Sequence, residues 1–208
     1  MLLTDASSTS ARRSFGAAVR LRNGHSLAVR RLLPDDKAEL AAAILRLSPQ
    51  SRYQRFLSPR QRFSERELTA LTSLDGRRRD AVIALDPATQ QIIGVARYAE
   101  LPDDPATADV AITVGDCWQG QGLGGALLDV LIERASAAGF VSLHADVLAE
   151  NRIVQQLLRS RGFRSTRLSG TVREFARALA GSEVARSLDD RALERPAAHS
   201  TSPVGKAA

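Results

Sequence analysis

The sequence is poor in the residues that build disulfides and thiolate metal sites. Its 208 residues include a single cysteine, Cys117. One cysteine excludes an internal disulfide and a metal cage of thiolates, and it favours a reducing compartment. No run approaches the roughly 20 consecutive apolar residues of a membrane span, and the first residues lack a basic start followed by an apolar segment. We therefore expect a soluble cytoplasmic protein that neither binds a metal ion nor associates with a membrane.

Lysine is almost absent as well. Lys37 and Lys206 are the only lysines among 29 basic residues, and the formal net charge is +6. The basic residues are spread along the chain and do not form the single stripe that is typical of a nucleic-acid surface. The skew toward arginine is more typical of a GC-rich bacterial genome than of a binding function. We expect no nucleic-acid partner.

Composition predicts one domain between two polar ends. With 44% hydrophobic residues, the chain can bury one full core. Residues 1–16 and 181–208 are rich in polar and small residues without apolar periodicity, which predicts flexible tails. The remaining residues, 17–180, should form a single folded domain.

In the first third of this domain, the sequence pattern predicts a hairpin followed by helices. Two short apolar runs flank the turn signal Asn23-Gly24, as in a β-hairpin. Pro34 and the pair Ser48-Pro49 are typical of helix starts. Ser64 and Glu67 form a capping-box pattern ahead of another helix.

In the rest of the domain, the sequence pattern predicts a central sheet with two further helices. Apolar runs that predict strands cover residues 81–85, 92–98, 109–114 and 141–148. An amphipathic helix should run from Leu123 to the terminating Gly139, and Asn151 should cap a second helix that ends at Gly162. Residues 171–179 fit an edge strand or a helix, and we favour the strand.

A glycine-rich turn at residues 118–125 (Trp-Gln-Gly-Gln-Gly-Leu-Gly-Gly) stands between a predicted strand and the first of those helices. Without side chains, glycines let successive backbone N–H groups point toward one site, and a helix that begins there adds its positive dipole end. Such a nest suits a pyrophosphate. The turn is therefore the strongest candidate for a binding site.

Three interpretations of the turn compete. In the first, the glycines only allow a sheet and a helix to approach closely. In the second, Gly120, Gly122 and Gly125 form the pattern G-x-G-x-x-G of a dinucleotide fold, with Asp146 as its ribose-binding acid. A dinucleotide fold needs more strand-helix units after the turn than this sequence offers. A Walker loop is excluded, because no Lys-Ser or Lys-Thr follows the glycines. The third interpretation is coenzyme A.

The turn and the order of elements around it resemble the GNAT acetyltransferases. The pyrophosphate loop of that family follows the pattern Gln/Arg-x-x-Gly-x-Gly/Ala, which Gln119, Gly122 and Gly124 match. The resemblance covers residues 26–179 and implies an α/β (α+β) GNAT fold, with a mixed, mostly antiparallel central sheet and helices on both faces. Residues 17–180 would then form an N-acetyltransferase domain with acetyl-CoA as co-substrate.

Two further segments resemble one branch of the family. Residues 30–36 (RRLLPDD) and 47–56 (LSPQSRYQRF) are similar to the opening of the bacterial protein lysine acetyltransferase domains. This resemblance implies a primary amine as acceptor, and within that branch a protein lysine. Relatives with the same opening also act on small molecules.

The resemblance also implies which residues hold the cofactor. Backbone groups of the strand before the turn would hold the pantetheine and thioester, and N–H groups of the turn would take the pyrophosphate. In many relatives an asparagine that begins the last helix lies near the cofactor, and Asn151 matches it. A role as a helix cap would account for an asparagine at this position equally well. The implied set is Ile112, Thr113, Val114, Gln119, Gly120, Gln121, Gly122, Leu123, Gly124, Gly125 and Asn151.

Asp109 is the predicted general base. An amine attacks a thioester only when it is neutral, so a carboxylate near the centre of the sheet should accept its proton. Asp109 is expected at the start of its strand and corresponds to an acidic position common in the related domains, with an ordinary strand-end aspartate as the alternative. Glu100 and Glu150 are weaker candidates. His144 alternates within a strand and is expected to be packed and not to act as a base.

Leu158 departs from the family pattern. It stands four residues before Gly162, where many GNAT enzymes carry a tyrosine that protonates the departing thiolate. The missing acid motivates a second hypothesis, a non-catalytic acyl-CoA-binding regulatory module, and a dinucleotide-binding protein is a third. Cys117 is not favoured as an acyl carrier, because no histidine lies near it in the sequence.

Overall fold

A computed structural model describes residues 17–58 and 62–179, so the two predicted tails lie outside the described residues. Within these ranges the chain forms one eight-stranded sheet and five α-helices. The strands are β1 (Ala17–Arg20), β2 (Ser26–Arg31), β3 (Arg79–Leu85), β4 (Ile92–Leu101), β5 (Asp104–Val114), β6 (Ser142–Leu148), β7 (Arg164–Ser169) and β8 (Val172–Ala178). The helices are α1 (Lys37–Arg46), α2 (Pro49–Phe56), α3 (Glu65–Thr72), α4 (Leu123–Ala137) and α5 (Arg152–Ser160).

The sheet is mixed and mostly antiparallel, as the resemblance implied. Its strand order is β1-β2-β3-β4-β5-β6-β8-β7. Within the described part of the chain, β5 and β6 form the one parallel pair. Parallel neighbours need a crossover connection, and α4 supplies it. A dinucleotide fold requires a mostly parallel sheet, so the topology overturns that hypothesis.

Helices cover both faces of the sheet. In β3, Val82 faces one apolar cluster, whereas Ala81 and Ile83 face the other, because successive strand residues point to opposite sides. The first cluster buries α4 and the end of α5 against the sheet, and the second buries α1 and α3. Both faces are apolar, which explains why the central strands read as continuous hydrophobic runs.

The predicted helix ends are present. Ser48 Oγ accepts a hydrogen bond from Ser51 N at 3.1 Å at the start of α2. Asn151 Oδ1 accepts one from Val154 N at 3.2 Å at the start of α5. Gly139 follows α4 with a φ of +92°, in the left-handed region that favours glycine.

Two strand assignments are now resolved. Residues 172–178 form β8, so the strand we favoured is confirmed. Its expected place at the edge is wrong, because β8 pairs with both β6 and β7, and β7 forms the edge. The expected start of β5 at Asp109 is wrong. The strand begins at Asp104, which pairs with Leu101 across a tight turn, and Asp109 lies in mid-strand opposite Ala99. The register with β4 shifts between Glu100 and Leu101, so Pro105 lies in a bulged segment close to the strand start, where a proline is tolerated.

A buried carboxylate joins three elements. Asp80 on β3 has no exposed side-chain surface. It accepts hydrogen bonds from Arg31 Nε at 3.1 Å and from Arg134 Nε at 2.6 Å, and its own strand adds one from Ala81 N at 2.9 Å. The carboxylate therefore ties β2 and α4 to β3 at the end of the sheet opposite the glycine turn.

Residues 17–58 and 62–179 contain no helix with the length and apolar character that crossing a bilayer requires.

Candidate active site

The sheet splits between its two parallel strands. β5 and β6 pair at Thr107–Ser142, Ala108–Leu143 and Asp109–His144. After Asp109 and His144, these two described strands form no further pairs. β5 nevertheless continues to Val114 and β6 to Leu148. Backbone groups on the facing sides are thus left without ladder partners and can bind a ligand.

The split opens into a cleft of about 2050 Å³. Its walls include three predicted residues of β5, Ile112, Thr113 and Val114, and much of the glycine turn. This volume exceeds the roughly 300–1,000 Å³ of ordinary ligand sites. The cleft can therefore accommodate a long cofactor together with a second substrate.

The glycine turn closes one end of the cleft at the start of α4. Gly120 has a φ of +74° and Gly122 one of +93°, both in the left-handed region. Gly122 precedes the first residue of α4, and no side chain caps the helix there. The first N–H groups of α4 consequently lack a capping oxygen and, with the helix dipole, favour an anion.

Polar side chains fix the turn against α2. Gln119 Nε2 donates to the carbonyl of Val114 at 3.1 Å and to Ser51 Oγ at 3.3 Å. Asp116 accepts from the Ser48 backbone at 2.9 Å and from Ser51 Oγ at 2.7 Å. Although burial raises the pKa of Asp116, the hydrogen bonds from Ser51 and Ser48 hold it below its ordinary value. The turn is thereby pre-organised.

The hairpin at the start of the domain also holds the turn. Arg22 N donates to the carbonyl of Gln121 at 3.1 Å, and Asn23 Nδ2 donates to Gln121 Oε1 at 2.9 Å. Gln121 Nε2 in turn donates to the carbonyl of Cys117 at 3.0 Å. The side chain of Gln121 therefore braces the turn, while that of Leu123 is buried in the core.

The remaining predicted cofactor residues lie around the mouth of the cleft. Gly124 faces Leu157 and Val114, whereas the guanidinium of Arg161 occupies the space beside Gly125. Asn151 lines the cleft as well as capping α5. Arg22 and Arg161 also line it, and they place two cations beside the turn. Nothing in the sequence singled out these two arginines, because tertiary packing alone brings them there.

Asp109 lies at the vertex of the split and pairs with a histidine. His144 Nδ1 is 3.1 Å from Asp109 Oδ1, and His144 Nε2 is 3.5 Å from Asp146 Oδ1. The histidine side chain is 24% exposed and the two carboxylates about 40%. His144 is mostly buried, and its ring also contacts both carboxylates, which the sequence did not indicate. Its spacing of two residues from Asp146 places both on one face, but only the β5–β6 register reveals the contact with Asp109.

The environment of His144 favours its charged form. Burial lowers the pKa of His144, but the hydrogen bond to Asp109 and the charges of Asp146, Asp109 and Glu174 together raise it above its ordinary value. The stabilisation that this ion pair contributes is present below the unfolded pKa of about 6.5 and is lost as pH rises through the folded pKa.

The other candidates are less well placed. Glu100 faces Arg78 Nε at 3.4 Å, and Glu150 lines the cleft beside Asn151. Leu158 is 2% exposed and belongs to the core. Cys117 is exposed and forms no disulfide. The described residues contain no cluster of three or more histidine, cysteine or acidic side chains that could hold a metal ion.

Comparison with known sequences identifies the family. A profile described as the acetyltransferase (GNAT) family matches residues 42–163. The chain is 30% identical over 145 residues to the acetyltransferase PA5475 of Pseudomonas aeruginosa, a match that covers 69% of this chain and 77% of that protein. It is 29% identical over 140 residues to the acetyltransferase Pat of Mycolicibacterium smegmatis, covering 67% of this chain and 42% of Pat. The chain belongs to the GNAT family of acetyltransferases.

Solved structures agree on the fold. The GNAT domain of S. lividans PAT superimposes with a TM-score of 0.74 at 28% identity, covering 79% of this chain and 97% of that domain. A putative acetyltransferase of Salmonella typhimurium, yncA, solved with its cofactor acetyl-CoA, has a TM-score of 0.63 at 16% identity, covering 76% of this chain and 96% of that one. The second likeness concerns the fold alone.

Proposed function

We propose that this chain transfers an acetyl group from acetyl-CoA to a primary amine, and that the acceptor is a protein lysine. The observation that carries the proposal is the conjunction of the split sheet with an uncapped, glycine-rich helix start at its open end. The bound acetyl-CoA of the structural neighbour yncA supports the choice of co-substrate. The opening segments that resemble the protein lysine acetyltransferase branch support the choice of acceptor.

The residues of the turn fit a pyrophosphate. In this assignment the N–H groups of residues 120–124 donate to its oxygens, while Arg22 and Arg161 offset its charge. The N–H of Gln119 already donates to the carbonyl of Asp116 at 3.3 Å. The side of β5 at Ile112, Thr113 and Val114 that faces away from β4 holds the pantetheine arm as a neighbouring strand would. The thioester then lies toward the vertex of the split, where Asp109 is placed.

Asp109 is proposed as the general base. Its carboxylate takes a proton from the ammonium of the acceptor, directly or through water, and the neutral nitrogen forms a bond to the thioester carbonyl carbon. The carbon–sulfur bond breaks, the acylated nitrogen releases its second proton to solvent, and the thiolate that leaves takes a proton from solvent. His144 holds Asp109 in place by the bond to Oδ1, so it acts as a positioning residue.

One observation favours a second candidate function. The buried Leu158 supplies no proton to a departing thiolate. A regulatory module that binds acyl-CoA without turnover would need no such acid.

Release of free thiol separates the two functions. We expect the chain to release coenzyme A from acetyl-CoA when lysine-containing peptides are present, with acetylated lysine found by mass spectrometry. Binding of acetyl-CoA without thiol release, across peptides and small amines, would establish the regulatory module. Failure to bind acetyl-CoA would overturn both.

Replacing Gly122 tests the cofactor cradle. In Gly122→Leu, the new Cβ would lie 3.1 Å from Arg22 Cγ, and the backbone would have to hold a φ of +93°. A non-glycine residue in that region costs roughly 1–2 kcal/mol. Because the strain falls where the pyrophosphate is held, we expect the dissociation constant for acetyl-CoA to rise at least about tenfold, as measured by calorimetry.

Gly139→Leu is the matched control. Gly139 has a φ of +92° at the opposite end of the same helix, where its added Cβ meets nothing within 4 Å. It carries the same backbone strain without touching the cleft. Equal affinity of the Gly122 variant and the Gly139 variant for acetyl-CoA would refute the assignment of the turn.

A further inference from the structure

Arg55, at the end of α2, lies beside the vertex of the split. Its side chain lines both the large cleft and a small apolar cavity beneath α1 and α3. The guanidinium carbon lies 4.9 Å from the centre of the Phe56 ring. Within residues 17–58 and 62–179 its guanidinium forms no hydrogen bond or ion pair. The five N–H donors of Arg55 therefore face a partly buried site and meet no acceptor among the described residues.

A second arginine shares this place. Arg97 on β4 pairs in register with Ala111, and Ala99 pairs with Asp109. Because alternate strand residues share a face, Arg97 and Asp109 project from the same side of the sheet. Arg97 is 6% exposed. Two arginines, Arg55 and Arg97, therefore lie near the carboxylate of Asp109 on this side of the vertex.

The electrostatics of the pair favour an additional anion. Burial, together with the charge of Arg55, lowers the pKa of Arg97 to about 10 against the opposing charge of Asp109. Burial also lowers the pKa of Arg55, again against the charge of Asp109. Two cations in a poorly solvated site repel each other, and an anion placed between them removes that cost.

Ligand chemistry follows from the arrangement of charges. The proposed base faces an ammonium, while Arg55 presents a planar fork that matches two carboxylate oxygens. The opposite side of Asp109 carries the His144–Asp146 pair, which suits a cation better than an anion. An acceptor that satisfies both sides bears a carboxylate close to its reacting amine.

We propose that Arg55, with Arg97 behind it, binds a carboxylate that the acceptor carries next to its amine. This inference rests on the proposed function and specifies the substrate class of that same site. The carboxylate has two possible sources: an acidic residue adjacent to the target lysine in a peptide, or the α-carboxylate of a free amino acid.

Two pairs of acceptors distinguish the sources. The first pair is a capped peptide with Glu beside its lysine and the same peptide with Gln in that position. The second pair is free lysine and lysine amide. We expect the wild-type chain to favour the carboxylate-bearing member of one pair by about tenfold or more in kcat/KM, the size typical of hydrogen bonds to a charged group. The pair that shows the preference identifies the source.

Arg55→Gln should abolish that preference by raising KM for the carboxylate-bearing acceptor to the value for the neutral acceptor. Arg52→Gln removes the same charge from the same helix at a position that does not line the cleft, and it should keep the preference. Arg55→Lys keeps the charge but loses the planar fork, so it should retain part of the preference even if the Gln variant folds poorly.

Three results would count against the inference. Equal use of both members of each pair by the wild-type chain would overturn it while leaving the proposed function intact. A uniform fall in kcat of Arg55→Gln for all acceptors would assign Arg55 to the reaction itself and also overturn it. Absence of thiol release with every acceptor would overturn the proposed function and this inference with it.

Discussion

Asp109→Asn is expected to lower kcat by about 10²–10⁴-fold, the contribution typical of a general base. The amide keeps the size of the carboxylate but accepts no proton at neutral pH. Binding of acetyl-CoA should be unchanged, because the substitution leaves the glycine turn intact. Stopped assays of thiol release and calorimetry with acetyl-CoA measure the two quantities separately. A variant with full rate at neutral pH would remove Asp109 from the mechanism.

The control for this variant is Asp146→Asn. Asp146 lies on the same face, lines the same cleft and contacts the other nitrogen of His144. The two substitutions remove one negative charge each from either side of one imidazole. Because only Asp109 is proposed to take the proton, kcat of the Asp146 variant should fall by no more than about threefold. Similar losses in both variants would indicate a general effect of charge.

The proposed role of Asp109 also predicts the direction in which kcat changes with pH. Protonated His144 places a positive charge beside Asp109, and this charge repels the cationic amine of the acceptor. As pH rises through the pKa of His144, which is raised above its ordinary value, the imidazole becomes neutral and this repulsion is lost. The wild-type kcat should thus rise with pH through a step above about 6.5 that the Asp109 variant lacks.

Asp80→Ala is expected to lower the free energy of unfolding by about 3 kcal/mol, the lower part of the range for breaking a buried ion pair. The lower part applies because the Arg31 side chain is 36% exposed and can turn toward solvent, whereas Arg134 is 19% exposed. For a chain of this size the loss corresponds to a fall in Tm of roughly 6–12 °C. Thermal denaturation followed by circular dichroism measures it.

Glu65→Ala provides the comparison. Glu65 pairs with Lys37 at 2.8 Å, but its side chain is 80% exposed, so the loss should be about 0–1 kcal/mol. If Asp80→Ala costs no more than this surface pair, the buried carboxylate does not hold β2 and α4 to the sheet. Adding Arg134→Met to Asp80→Ala should recover part of the loss, because the second change removes the charge left unpaired.

The order of elements was predictable because its signals are local. Capping residues such as Ser48 and Asn151, and the glycine at 139, mark helix ends within a few positions. The start of β5 was missed because pairing with β4 extends a strand through residues that look like a loop on their own. The sequence-based prediction of a start at Asp109 could not include that partner strand.

The site was predictable to a smaller extent. The glycine turn is contiguous in the chain, so its composition and the resemblance both drew attention to it. His144, Arg55 and Arg161 come from distant segments, and their proximity depends on strand register and helix packing. No spacing along the chain encodes such contacts. The predicted contributions of Asp109 and of the turn to binding and catalysis remain predictions that the variants above test.

The gap between β5 and β6 has a consequence for association between copies of the chain. Unpaired strand edges ordinarily attract a strand from another molecule and so promote aggregation. This edge lies inside the sheet, and the junction at Asp109 and His144 closes one end of it. A ligand that occupies the gap would cover the edge. We therefore expect the empty protein to be more prone to self-association than the ligand-bound protein, so that the substrate also protects the fold that binds it.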